Sequence, residues 1–231
     1  KEIAINADLN NIVIDFSKAE INVFGGAERN YIETVNIEDS QIDEKASGIT
    51  ISDSYDYLSL AYDTIVHFNG IRNILFPGQS YSGDKKINIY LTGDYNVTQM
   101  SFSLENGNIT VSQLESNTDY NFTIKDTGDI TFDQVATKSK AYINVKNGNV
   151  ALKQMSCVLF EGVIETGNLH CSEENPGQHF YDLSCENGMV YLLGESQGNK
   201  YVVDTGSDTS KIDFSVKFGN IHLNELEKTA P

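Results

Sequence analysis

The sequence predicts an all-β fold, a parallel β-solenoid (β-helix-like) with roughly 20-residue coils. Three observations carry this. Glycines recur at Gly107, Gly128, Gly148, Gly167 and Gly188, at intervals of 21, 20, 19 and 21 residues, with a further copy at Gly219. On both sides of each glycine, apolar and polar residues alternate with the period of strands that bury one face. Helical periodicity is nearly absent, a short helix around residues 225–228 being the one candidate.

Alignment on the glycine shows which positions face inward. Three residues before it stand Leu104, Val145, Ile164, Cys185 and Val216, while Ile124 stands four before, displaced by one residue. Two after it stand Ile109, Ile130, Val150, Leu169, Val190 and Ile221, and four after it Val111, Phe132, Leu152, Cys171, Leu192 and Leu223. A weaker copy at Gly206 follows Val203, but Asp208 and Ser210 replace its apolar pair. The Asn-Gly or Thr-Gly pair supplies the turn, since glycine accepts positive φ at no steric cost. Two architectures satisfy this parity. Each glycine turns the corner of a stacked coil, or each marks a hairpin that pairs Val145 with Val150 and Ile143 with Leu152. The near-constant period favours coils, because a sandwich has little reason to keep it.

Residues 1–86 read as an irregular β region and cap of the same domain. Alternation is visible in Ile12–Phe16, in Ile21–Val23 and in Gly48–Ile51. The stretch 63–84, with Pro77, Gly78 and Gly83, reads as a long loop. Regular coils resume at Ile87-Asn88-Ile89-Tyr90-Leu91, and residues 87–231 form the repeat-built solenoid. No linker divides the chain.

Composition limits the partners. The 231 residues carry 33 acidic and 16 basic side chains, a formal charge of −17. That field repels phosphate backbones and anionic membrane surfaces, and it leaves cationic partners or divalent metal ions as ligands. Nucleic acid is therefore not an expected partner. Apolar runs such as Val158-Leu159-Phe160 fall far short of the ~20 residues that span a bilayer, so this segment is not expected to insert into a membrane. The chain begins at Lys1 rather than Met, which points to a leader or anchor already removed.

The short N-terminal strands (IVIDF, INVFGG), then GITIS, then a lone INIYL, then repeated (N/T)-G-(N/D)-(I/V/L) coils resemble the bacterial putative-adhesin domain family of the DUF4097 type. The resemblance covers most of the chain and rests on repetition of a short motif. It implies a β-solenoid-like fold, an extracellular or cell-envelope location and no carried-over catalytic residues. The coil at Gly206 departs from the family pattern.

Candidate chemistry is sparse. Glu165, Glu186 and Asp204 fall two or three residues before their glycines and, on stacked coils, would form an outward acidic stripe. Such a stripe would be a solvated face, a weak calcium site or a catalytic pair, since glycosidases need two carboxylates about 5–10 Å apart. The calcium-binding nonapeptide repeat is absent, and no cofactor is expected. His67, His170, His179 and His222 form no evident metal set. His170 and His222 share an outward register, yet Tyr191 and Thr209 are expected between them. Cys157, Cys171 and Cys185 show no paired spacing and read as small core residues. Tyr55, Tyr57, Tyr62, Tyr81 and Tyr95 cluster around the long loop, where aromatics either pack over an end of the stack or contact a partner. The reading that results is a non-enzymatic surface module for protein or glycan. A β-helix carbohydrate-active enzyme and an envelope-stress scaffold or accessory protein are the alternatives.

Overall fold

A computed structural model describes residues 1–53, 84–173, 179–204 and 210–226. The chain is all-β: 19 strands among these residues join in one mostly parallel sheet, and the helical content is one 3-10 turn, Asp39–Gln41. Among the described residues no helix is long and apolar enough to cross a membrane. Nearly all of the expected loop at 63–84 and the Gly206 position lie outside the described residues, as do residues 227 and 228 of the expected terminal helix. Glu225, where that helix was to begin, ends a strand instead.

Each glycine is a corner between two strands. Strand β8 (Asp119–Thr127) passes Gly128 into β9 (Ile130–Thr137), and β10 (Lys140–Asn147) passes Gly148 into β11 (Val150–Ser156). Likewise β12 (Leu159–Thr166) leads to β13 (Leu169–Glu173), β14 (Phe180–Asn187) to β15 (Val190–Leu192), and β18 (Lys211–Phe218) to β19 (Ile221–Glu225). The longer β2 (Asn11–Phe24) and β7 (Gln99–Ser116) run through the same corner without a break. Val145 pairs with Ile124 and Ile164, and Val150 with Ile130 and Leu169, always in parallel. The hairpin alternative is thereby excluded, because no strand folds back on the one before it at these corners. The one-residue displacement at Ile124 is a register shift in β8, where Asn106 and Asn147 both pair with Thr127.

Two rows of strands result. The first runs β5 (Gly48–Ser52), β2, β7, β8, β10, β12, β18, β14. The second runs β6 (Lys86–Tyr90), β2, β7, β9, β11, β13, β19, β15. Since β2 pairs with β7 from Asn11 to Phe24, residues on either side of position 86 share this sheet. Antiparallel strands cover the ends. These are β4 (Ile42–Lys45) and β17 (Lys200–Val203) on the first row, and β3 (Tyr31–Val35) and β16 (Glu195–Ser196) on the second, with β1 (Glu2–Ala4) on β3. Covering the ends in this way limits the unpaired backbone that would recruit other strands. Val203 belongs to β17, so the weak copy preceding Gly206 is an end strand and not a coil.

The coil order differs from the chain order. The last coil, β18–β19, lies between β12–β13 and β14–β15. After β15 the chain reverses through Leu193 and Gly194, both at positive φ, and returns as β16 and β17. Strand β17 takes the outer edge of β14, which leaves the inner edge for the coil still to come.

Inside, side chains from the two rows meet. Phe102 and Phe122 stack at 4.7 Å, Phe132 of the second row meets Tyr120 at 5.7 Å and Phe160 at 5.8 Å, and Phe160 stacks on Phe214 at 5.6 Å. Full burial of each such ring contributes about 1.5–3 kcal/mol relative to exposure. The Phe214 ring occupies space beside Gly162, where an added Cβ would lie 2.3 Å from it.

The corners stack on one another closely. A Cβ built on Gly128, Gly148, Gly167, Gly219 or Gly188 would lie 1.7–1.8 Å from the carbonyl oxygen of the neighbouring glycine in the stack. Glycine recurs there chiefly because any side chain would push adjacent coils apart. The next residue extends the stack as a hydrogen-bond ladder. The Asn108 Oδ1 accepts the Asp129 N–H at 2.9 Å, Asp129 Oδ1 that of Asn149 at 2.7 Å, and Asn149 Oδ1 that of Asn168 at 3.1 Å. Asn168 then serves Asn220 at 2.9 Å, and Asn220 serves Met189 at 3.0 Å. On the far side, Gln113, Gln134 and Gln154 turn the chain at φ 52–56°, in the left-handed region.

Candidate binding surface

The outward face of the first row carries a shallow groove of about 340 Å³. Its floor crosses four coils at one register, with Asn144, Val163, Ser215 and Ser184 side by side on β10, β12, β18 and β14. The short serine side chains make the depression, and Val163 stands 48% exposed within it. Glu165, Lys217 and Glu186 form one wall.

Glu165 and Glu186 thus do come to one place, but not as stacked neighbours. Ile164 and Cys185 both pair with Val216, and Thr166 and Asn187 both pair with Phe218, so Lys217 stands between the two glutamates. Its Nζ lies 3.7 Å from Glu165 Oε1, with both side chains about half exposed. Asp204 lies elsewhere. It follows Val203, which pairs with Tyr181 at the opposite end of β14 from Glu186. The acidic stripe is not formed: the inserted coil supplies a cation between two of its members, and the antiparallel return of β17 carries the third away. Among the described residues no three His, Cys, Asp or Glu side chains converge on a point that would hold a metal ion.

The histidines correct a second expectation. His170 of β13 pairs directly with His222 of β19, and their rings stack at 5.0 Å with 7° between planes. Tyr191 stacks on the other side of His222 at 5.1 Å. The separation expected from chain order fails because the last coil occupies the slot next to β13. Partial burial, together with neighbouring His222, holds the His170 imidazole below its ordinary pKa. His179 is internal to the fold. Its Nδ1 hydrogen-bonds Ser210 Oγ at 2.8 Å and its Nε2 hydrogen-bonds buried Glu173, joining the points where the chain leaves β13 and enters β14 and β18. His67 lies outside the described residues.

All three cysteines are buried free thiols. Burial pushes Cys157 up to about 12, Cys171 well above its usual value, and Cys185 upward. None presents a thiolate for nucleophilic attack near neutral pH. Of the five tyrosines singled out, Tyr55, Tyr57, Tyr62 and Tyr81 lie outside the described residues. Tyr95 packs against the core and its hydroxyl shares a hydrogen bond with Thr118 at 3.2 Å, so it is a packing residue. Aromatics at the surface stand elsewhere. Phe24, Tyr90 and Tyr31 stack across β2, β6 and β3 at 5.2 and 4.5 Å, with the Arg29 guanidinium 4.6 Å from the Tyr31 ring centre. Sequence reading missed this stack because cross-strand register, not chain proximity, assembles it.

No protein-family model matches the chain, and no curated protein does. Among solved structures it is similar to a "putative cell adhesion protein" from Clostridium sporogenes, with 13% identity, TM-score 0.43, and coverage of 97% of this chain and 98% of that one. It is also similar to a "putative adhesin" from Bacteroides fragilis, with 11% identity, TM-score 0.42, and coverage of 96% and 95%.

Proposed function

We propose that this chain is a non-enzymatic binding module of the cell envelope or cell surface, a parallel β-solenoid of the DUF4097 type whose first-row groove contacts a protein or glycan. The observation that carries this reading is the groove itself. It has a floor of short polar side chains with one exposed valine, and a wall of alternating charge, on strands paired in parallel within the stack. Such a surface offers hydrogen bonds and a small apolar contact to an extended ligand. A glycosidase needs two carboxylates flanking the scissile bond with one kept protonated. Here Lys217 stands between the two glutamates, which supports binding over hydrolysis. No cofactor has a role in this reading.

Retention of the purified chain on isolated bacterial cell walls and on a glycan and matrix-protein array tests it, with calcium and then with a chelator. Wild type is expected to be retained. Ser215→Trp, which fills the floor at an outward position, is expected to lose retention at least about tenfold, a change of ~1.4 kcal/mol, at an unchanged melting temperature. Absence of retention, or full retention by Ser215→Trp, overturns the proposal.

A further inference from the structure

The second row holds a pair of histidines that the fold, rather than the local sequence, brings together. His170 and His222 occupy opposing positions on neighbouring parallel strands, and neighbouring strands lie about 4.8 Å apart. No residue intervenes, and on its other side His170 pairs with Ala151 of β11, whose side chain is a single methyl. Tyr191 supports His222 from behind. The lateral neighbours along the two strands are Asn168, Ser172, Asn220 and Asn224, and the cation on an adjacent strand is exposed Lys153 of β11, which pairs with Ser172 and so lies diagonal to His170.

We propose that His170 and His222 form a two-imidazole site for a borderline divalent transition-metal ion such as Zn²⁺ or Cu²⁺, and that the ion clips the last coil into its slot. Imidazole nitrogen is a favoured ligand for these ions, at about 2.0–2.1 Å for zinc. Both rings reach a shared ion by turning about Cβ–Cγ until their edges, rather than their faces, converge, and water completes the coordination. The formal charge of −17 raises the local concentration of cations around the protein. One ligand comes from β13 and the other from the inserted β19, so binding fastens the coil that arrives last in the chain to a neighbour made earlier. Because the ion binds the folded chain through two distant segments, it raises the melting temperature in proportion to the logarithm of its concentration above Kd.

Calorimetric titration of the full chain with Zn²⁺, after chelator treatment, is the test. It is run at pH 7.5 and at pH 5 on wild type, His170→Ala, His222→Ala and Tyr191→Phe. The expected result is saturable binding by wild type and Tyr191→Phe at pH 7.5, and a loss of at least about tenfold in affinity in each histidine variant. Binding weakens at pH 5, because protons compete with the metal ion for imidazole nitrogen. Zinc raises the melting temperature of wild type and not of either histidine variant. If His222→Ala perturbs the fold, His170→Ala, at an exposed position, decides alone. Absence of saturable binding by wild type, or equal binding by the histidine variants, overturns the proposal; equal binding would place the ion on the acidic surface or at another histidine.

Discussion

Replacement of Gly148 by alanine is the sharpest probe of how the coils stack. The new Cβ would lie 1.8 Å from Gly128 O and 2.7 Å from Gly128 C, whereas ordinary contacts begin near 3.4 Å. The backbone there sits at φ +152°, outside the range that alanine prefers. Relief requires moving β10–β11 away from β8–β9, or reshaping the corner. Either change strains the Gly148 N–H bond to Thr166 O at 2.9 Å and the Asn149 N–H bond to Asp129 Oδ1 at 2.7 Å. Overpacking in a tight site costs about 1–3 kcal/mol, an unfavourable φ another ~1–3 kcal/mol, and a weakened ladder bond ~1 kcal/mol. Together these come to about 3–7 kcal/mol, a large share of the stability of a typical domain. Urea denaturation followed by circular dichroism measures it, with Gly93→Ala as the control because a Cβ there meets nothing within 4 Å. The control is expected within about 0.5 kcal/mol of wild type. A Gly148→Ala midpoint equal to that of the control would refute the argument that close approach, rather than turn chemistry, selects glycine.

Two further outcomes follow from the same geometry. Asn168→Ala leaves the Asn220 N–H without its 2.9 Å acceptor and removes the side-chain bond to Asn149, so a loss of about 1–3 kcal/mol is expected in a urea titration. Because His170 binds its proton less readily when folded than unfolded, its contribution to stability is complete above the ordinary histidine value near 6.5 and declines as pH falls through that value toward the folded one. Comparing wild type with His170→Asn at pH 7.5, 6.5 and 5.5 isolates this, with the variant expected to lose less stability on acidification.

Much of the local architecture was legible. The glycine period marked the corners, and the inward positions Ile109, Ile130, Val150, Leu169, Val190 and Ile221 are all buried as the alternation requires. Even the slip at Ile124 appears as a shift of register in β8. The Asn/Asp ladder was legible in principle, since Asn108, Asp129, Asn149, Asn168 and Asn220 each follow a repeat glycine, but its signal is shared with ordinary turn chemistry.

What the sequence by itself determined is therefore the local pattern of the coil: which residues turn it and which face inward, with the near-constant period favouring parallel stacking over the hairpin that the strand pairing then excluded. What only the tertiary structure decided is which coil lies beside which. The coils from Gly107 onward present the same glycine corner, the same apolar registers and nearly the same ladder, so local chemistry does not distinguish one neighbour from another. The choice was made by the reversal after β15, which covers the outer edge of β14 with β17 and leaves the last coil the inner edge. That one placement puts Lys217 between Glu165 and Glu186 and sets His222 against His170. Both surfaces depend on it, because side chains on parallel strands meet by adjacency in the stack and not by distance along the chain.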